Sequence, residues 1–336
     1  MPALYNLELP KIAEEIKRRG STRVLLQLPD GMRPHALQLV RVIREATGAQ
    51  VFLSGDSCYG ACDIATRQAR ELEADLLVHI GHSAMVEEGE VPVLYVHAEV
   101  DVDVRRLVEE TLPHLSEYRR VGVVTTVQHV HQVHEVALEL ERRGVEARVG
   151  EGDDKAPNAG QVLGCHYGAA LRVAEDVDAF LYVGGGRFHP LGLALATGKP
   201  VVVADPYSGS VTAVEPEALM GLAKRRMAGI VAARDAKALG ILVSSKPGQG
   251  ALEVAEGLER RFRDRGVEAA IFYLDEVRAE HLNNYSEPQA FIVTACPRIA
   301  IDGVTGVDRP MLTVQEARVA LGDLTWDEVW GRGYLG

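Results

Sequence analysis

The sequence has no long apolar run. No uncharged stretch of its 336 residues reaches the roughly 18 residues that a membrane-crossing helix needs, so no membrane association is expected. The amino terminus, Met-Pro-Ala-Leu-Tyr-Asn-Leu-Glu, lacks a basic region followed by an apolar one, so a secretory leader is not expected either. Basic residues are outnumbered: 36 Lys and Arg face 48 Asp and Glu, a formal net charge of −12. That balance argues against direct nucleic-acid binding. Cysteine is scarce, with four in the chain, too few for a disulfide framework of this length. In the cytoplasm, where the missing leader puts the chain, spaced cysteines more often bind metal or do chemistry. The glycine-rich turns match neither Gly-x-Gly-x-x-Gly nor a P-loop, so neither a dinucleotide nor a triphosphate is indicated.

What is present reads as an α/β protein. Hydrophobic residues make up 47% and charged residues 25%, ordinary for a soluble globular chain. The length exceeds one ordinary core, so two or three domains are expected. Strand-length apolar runs alternate with amphipathic helical stretches. The first unit reads helix Leu9–Arg19, strand Arg23–Gln27, a helix from about Pro34 to Thr47, strand Gln50–Leu53, a cysteine loop, a helix from about Asp63 to Glu73, then strands Asp75–Ile80 and Val93–His97. The second repeats the order with helix Val104–Leu115, strand Val121–Thr125, helix His131–Arg143, strand Val145–Val149, a cysteine loop, and strands Ala179–Val183 and Pro200–Ala204. The third has a helix through Ala218–Ala233, strand Leu239–Val243, helix Gln249–Arg265, and strands Val267–Tyr273, Ala290–Thr294 and Met311–Val314. Opening strands near 23, 121 and 239 are separated by 98 and 118 residues. Two near-equal periods and a recurring Arg-Gly turn (Arg143-Gly144, Arg265-Gly266) point to triplication of one parallel-sheet unit, with domains at 1–100, 101–211 and 212–336.

Three of the four cysteines lie in corresponding places, one per unit: Cys62, Cys165 and Cys296. Ligands gather beyond the carboxyl ends of strands in such units. Three thiolates converging from three strand ends would leave one coordination position open, which suits a catalytic iron–sulfur cluster. The pair Cys58 and Cys62 begins a Cys-x-x-x-Cys-x-x-Cys cluster loop, but its third place is Ala65. The wide spacing of the others excludes a compact zinc ribbon. A buried core cysteine is the ordinary alternative, yet Cys62 and Cys165 sit among Gly, Tyr, His and Asp. The residues alone do not choose between Cys58 and Cys62. Loops after the first and third strands are the other candidates: Gln27 to Gly31, Gly81-His82-Ser83, Gln128-His129, Gly184 to His189, Ser245 to Gln249 and Cys296-Pro297-Arg298. They offer glycines and polar ends that let backbone N–H groups approach a ligand. His131 and His134 read as solvated or capping residues.

Taken in order, Tyr59-Gly60-Ala61-Cys62-Asp63, Gly81-His82-Ser83, Gln128-His129, Leu163-Gly164-Cys165, Ser245-Lys246-Pro247-Gly248-Gln249 and Thr294-Ala295-Cys296-Pro297-Arg298 resemble the archaeal 2-(3-amino-3-carboxypropyl)histidine synthases, which begin diphthamide biosynthesis. The resemblance spans about residues 5 to 320 and implies three homologous α/β domains in a pseudo-threefold arrangement around a 4Fe–4S cluster. It implies a homodimer, an electron donor not yet identified, and cluster ligands Cys62, Cys165 and Cys296, with Cys58 left out. It also implies S-adenosylmethionine as co-substrate. Cleavage of the Cγ–S bond would give methylthioadenosine and a 3-amino-3-carboxypropyl radical, which adds to C2 of a histidine on elongation factor 2. Expected contacts to S-adenosylmethionine are Gln27, Gly31, His82, Ser83, Gln128, His129, Gly184, Gly185, Ser245, Lys246, Gln249 and Arg298, with Lys246 and Arg298 for its carboxylate. No catalytic side chain is expected beyond the cluster ligands. Two rival readings stand beside this one: a quinolinate-synthase-like 4Fe–4S dehydratase, and a non-catalytic structural-metal subunit.

Overall fold

The structure is a computed structural model that describes residues 5–86 and 89–330. The first four and last six residues of the outer expected units lie outside the described residues. Thirteen strands are described, in chain order: β1 (Arg23–Gln27), β2 (Gln50–Leu53), β3 (Leu76–Ile80), β4 (Val93–Val96), β5 (Arg120–Thr125), β6 (Glu146–Arg148), β7 (Ala179–Val183), β8 (Val201–Asp205), β9 (Ser210–Ala213), β10 (Ala238–Ser244), β11 (Glu268–Leu274), β12 (Ala290–Val293) and β13 (Met311–Thr313). They form three sheets, ordered β2-β1-β3-β4, β6-β5-β7-β8-β9 and β11-β10-β12-β13. Each sheet repeats the same parallel order of its first four strands.

The sequence makes these sheets by burying strands on both faces. Val24, Leu25 and Leu26 of β1, all of β3 and all of β7 are inaccessible to solvent, as expected where helices cover both sides of a parallel sheet. Several helices supply the cover with one apolar stripe each. In Leu9–Arg19 the buried residues are Ile12 and Ile16, four apart on one face, while Lys17, Arg18 and Arg19 end the helix, favourable beside its carbonyl terminus.

Three expectations change. The helices expected from Pro34 and from His131 begin as 3-10 turns, Asp30–His35 and Val127–Gln132, ahead of the α-helices Ala36–Thr47 and Val133–Arg142. The third helix of the first unit is shorter than expected, Thr66–Glu71, with a separate 3-10 turn at Ala61–Asp63. And β9 pairs antiparallel with β8, so the boundary expected at 211 falls inside a strand. β9 is largely exposed, Ser-Val-Thr-Ala, and its two small apolar residues make too short and weak an alternation to announce it.

The third unit closes around a buried ion pair. Arg226, on helix Pro216–Asp235, donates from Nε to Glu316 Oε1 at 2.7 Å and pairs through Nη2 with Oε2. Its remaining donors reach the carbonyls of Ala300 and Met311, both at 2.6 Å. Glu316 also accepts from Thr313 N at 2.8 Å, completing the cap of helix Val314–Ala320. One guanidinium thus ties a helix, a strand and two further segments together. Arg226→Met should lower the urea midpoint, corresponding to a loss of about 3–5 kcal/mol, because Glu316 stays buried without its guanidinium. An unchanged midpoint would contradict this account.

Candidate functional site

The sheet order places the site. In each unit the chain leaves its first strand to one side and returns on the other, so the loops after the first and third strands diverge and open a crevice. A cavity of about 570 Å3 forms where loops of all three units meet. Its wall carries Cys62, Cys165 and Cys296. All four cysteines are free. Cys58 is buried and does not line the cavity.

The three thiols arrive by different routes. Cys62 sits in the 3-10 turn Ala61–Asp63 and Cys165 in the loop between β6 and helix Gly168–Val173, each after a second strand. Cys296 instead follows β12, a third strand, and caps helix Pro297–Asp302. The correspondence of position expected from the sequence therefore holds for two of the three. Close backbone contact fixes Cys62: Gly248 N donates to Cys62 O at 2.9 Å, and a Cβ on Gly248 would lie 2.5 Å from Cys62 Cα. Gln249 Nε2 lies 3.3 Å from Cys62 Sγ and donates to it. Cys165 rides on a tethered loop. His166 Nε2 meets Asp153 Oδ2 at 2.8 Å, and Arg172 Nη1 meets the same carboxylate at 3.2 Å. Gly164 lies against Phe188, where a Cβ would come within 1.9 Å of the ring.

Burial pushes the Cys165 thiol up to about 12 and raises Cys62 and Cys296 as well. At Cys165, neighbouring Cys296 and Cys62 add to the shift, and Cys296 does so at Cys62. The three sulfurs are thus close enough to oppose one another's ionisation. Such a site holds thiolates when a cation offsets their charge, and thiolates are the donors that iron–sulfur clusters take. A second donor set lies nearby: one ligand atom from each of Cys58, His79 and His82 falls within 4.8 Å of the others.

Expected contacts divide evenly. His82, Ser83, Gln128, Lys246, Gln249 and Arg298 line the cavity. Gln27, Gly31, His129, Gly184, Gly185 and Ser245 do not. Gln27 is turned into the first unit, bonded to Asp63 O, Ala65 N and His79. Gly31 is exposed in the 3-10 turn Asp30–His35. His129 is buried between Val100 O and the Tyr207 hydroxyl. Gly184 packs on Tyr182 and Gly185 on Tyr207, and Ser245 donates to Asp275 Oδ1 at 2.6 Å. A strand-end position marked these residues, but local partners decide which of them reach the cavity: Gln27, His129 and Ser245 are held by hydrogen bonds elsewhere, and the three glycines carry no side chain.

The two expected cations also differ. Lys246 Nζ contacts Asp63 Oδ1 at 2.7 Å and Glu276 Oε1 at 3.8 Å. Burial opposes its charge, but these carboxylates outweigh burial and raise its pKa. It is already neutralised. Arg298 is buried, stacks 3.8 Å over the Phe188 ring, and spends Nε and Nη2 on Asp302. Its Nη1 is buried with no partner among the described residues. Missed by sequence reasoning were Tyr59 over Lys246, Gln161, whose Nε2 donates to Ser83 Oγ at 2.7 Å, Phe188, and Glu276. Tyr59 and Phe188 stood in stretches already singled out; Gln161 and Glu276 gave no spacing signal.

The family described as "Putative diphthamide synthesis protein" matches residues 28–331. The chain belongs to this diphthamide synthesis family. Among its relatives, the 2-(3-amino-3-carboxypropyl)histidine synthase of Pyrococcus horikoshii is 38% identical over 96% of this chain and 94% of its own length. The human 2-(3-amino-3-carboxypropyl)histidine synthase subunit 1 is 32% identical over 98% of this chain and 74% of its own. The crystal structure of Dph2 from Pyrococcus horikoshii with a 4Fe-4S cluster matches with a TM-score of 0.87 at 37% identity, over 98% of this chain and 95% of that one. The arrangement of three parallel-sheet α/β units is therefore that of the diphthamide synthesis family.

Asp153 gives a pH-dependent test of the Cys165 loop. Burial opposes its charge, but the His166 and Ala156 hydrogen bonds and Arg172 prevail and lower its pKa from 3.8 to about 2. A depressed folded-state pKa adds stability above the unfolded value and loses it as pH falls through the folded one. Asp153→Asn should therefore lower the melting temperature at neutral pH, and its difference from wild type should shrink between pH 3.8 and about 2. A difference that persists unchanged at the acid end would refute the tether.

Proposed function

We propose that this chain transfers the 3-amino-3-carboxypropyl group of S-adenosylmethionine to C2 of a histidine in elongation factor 2, the first step of diphthamide biosynthesis. The observation that carries this reading is the convergence of three free thiols from three units on one cavity, in a chain of the diphthamide synthesis family. Family membership argues against the dehydratase alternative, and retention of all three converging thiols argues against the structural-metal one.

The donor chemistry fits a 4Fe–4S cluster. Three soft ligands line the wall, and the fourth cysteine lies off it, which leaves one iron open. Cys62, Cys165 and Cys296 would hold the cluster, which supplies an electron and a coordination site to the sulfonium. Gln249, donating to Cys62 Sγ, would tune it, since hydrogen bonds to cluster ligands shift potential.

Other side chains bind and orient. Arg298 would take the substrate carboxylate, because its unpartnered Nη1 costs about 1–3 kcal/mol or more until an anion arrives. Lys246 is left to brace Cys62: its Asp63 partner belongs to the Cys62 turn. A cavity of about 570 Å3 falls in the range of roughly 300–1,000 Å3 usual for small-molecule sites. The acceptor histidine would enter on a protruding loop of elongation factor 2.

Three units over 1–100, 101–213 and 214–336, a homodimer, a cytoplasmic location and a separate electron donor complete the reading. In the described residues no helix is long and apolar enough to cross a membrane.

Anaerobic purification followed by iron and sulfide analysis tests the ligand set. Cys62→Ala, Cys165→Ala and Cys296→Ala should each lower both and reduce transfer by more than the roughly 10–100-fold that loss of an outer-shell partner costs. Cys58→Ala should retain iron. Reversal between Cys58 and Cys62 would overturn the assignment. With dithionite, methylthioadenosine should be the nucleoside product; 5′-deoxyadenosine in its place would sink the proposed cleavage.

A further inference from the structure

Three side chains in the first unit, Gln27, His79 and His82, form a hydrogen-bonded chain whose proton positions follow from its anchored end. Gln27 is buried. Its Nε2 lies 2.7 Å from the Asp63 carbonyl, and its Oε1 accepts from Ala65 N at 3.0 Å. A backbone carbonyl cannot donate and a backbone N–H cannot accept, so the orientation of the amide is fixed. His79 Nδ1 lies 2.8 Å from the same Oε1 and must donate to it. Burial lowers the His79 pKa to about 3, so the ring is neutral and Nε2 is a bare lone pair. His82 Nδ1 lies 3.0 Å from that Nε2 and must in turn carry a proton. Burial lowers the His82 pKa to about 4, so this ring is neutral as well. The remaining nitrogen, His82 Nε2, is left unprotonated and without a hydrogen-bond partner among the described residues, on a side chain that lines the same cavity as the three cysteines.

We infer that His82 Nε2 is the acceptor for the proton released from C2 of the substrate imidazole, with His79 and Gln27 as positioning residues that hold it in the accepting tautomer. The inference rests on the transfer reaction proposed above. Written as a whole, that reaction breaks the Cγ–S bond and the C2–H bond and forms a C2–Cγ bond. The sulfonium loses its charge as methylthioadenosine leaves, and one proton is released, so the overall change is redox-neutral. The released proton needs a base to accept it. The carboxylates on the wall are engaged: Asp302 by Arg298, Glu276 by Lys246 and Arg278, and Asp275 by Ser245 and Arg67. His189 also lines the cavity, stacked on Tyr182, but no described hydrogen bond selects its tautomer.

Two measurements test the assignment. In wild-type protein labelled with 15N-histidine, long-range correlation spectra should show His82 with a protonated Nδ1 and a pyridine-type Nε2. Gln27→Leu or His79→Phe should release that preference. A wild-type His82 protonated at Nε2 would overturn the inference whatever the variants do. In anaerobic assays with elongation factor 2, S-adenosylmethionine and dithionite, the ratio of modified factor to methylthioadenosine is the readout. His82→Ala should lower it by about a hundredfold, the low end of what a positioned base contributes. If both products fall together and the ratio holds, His82 merely binds substrate and the inference fails. Absence of methylthioadenosine from wild-type assays would instead defeat the parent reading, and the proton assignment with it.

Discussion

Three thiols that repel one another as anions have to be brought to one cavity from three sheets. That constraint governs the rest of the structure. Each sheet has a parallel core whose central strands are buried on both faces, and its crevice lies between its first and third strands. The second and third units share one apolar core, and all three units are tied together at the cavity. Lys246 and Gly248 of the third unit hold the Cys62 turn of the first. Gln128 and Gln161 of the second reach Gly81 O and Ser83 Oγ of the first, and Arg298 of the third stacks on Phe188 of the second. Every pair of units shares a polar or aromatic tie within a few residues of a cysteine, so the sulfurs are set by the interfaces as much as by the sheets.

The arrangement also explains why charge is handled unevenly around the cavity. Lys246 is offset by Asp63 and Glu276, which makes it a brace. Arg298 is only partly satisfied, with Nε and Nη2 on Asp302 and Nη1 unpartnered, which makes it a receptor. Similar placement beside a strand end thus yields two roles, decided by how many carboxylates each cation already meets. The same logic separates the cysteines. Cys58 is held up to about 12 by burial, with Asp63 adding to the shift, whereas Cys62, four residues on, faces the cavity.

Much of the fold was legible in the sequence because it rests on local signals. Leu9–Arg19, Arg23–Gln27, Gln50–Leu53, Val104–Leu115 and Ala179–Val183 have the bounds that periodicity gives, since buried parallel strands and one-sided helices leave unmistakable apolar patterns. β9 was missed because an exposed edge strand has no such pattern. The helix Phe188–Thr197 was missed for the opposite reason: most of it is buried, so it shows no polar face. At the site, cysteine position was readable from motifs, and Cys62 was preferred to Cys58 through family resemblance. The inward turn of Gln27 and the pairing of Lys246 were not readable, because both depend on contacts 36 and 183 residues away in sequence.

The most direct test of the account is iron anomalous diffraction from anaerobically grown crystals of the wild-type protein. The account predicts one iron–sulfur cluster in the central cavity, bonded to Cys62, Cys165 and Cys296 at once, with Cys58, His79 and His82 free of metal. Iron bound at Cys58, His79 and His82, or bound by fewer than three of the converging thiols, would contradict it.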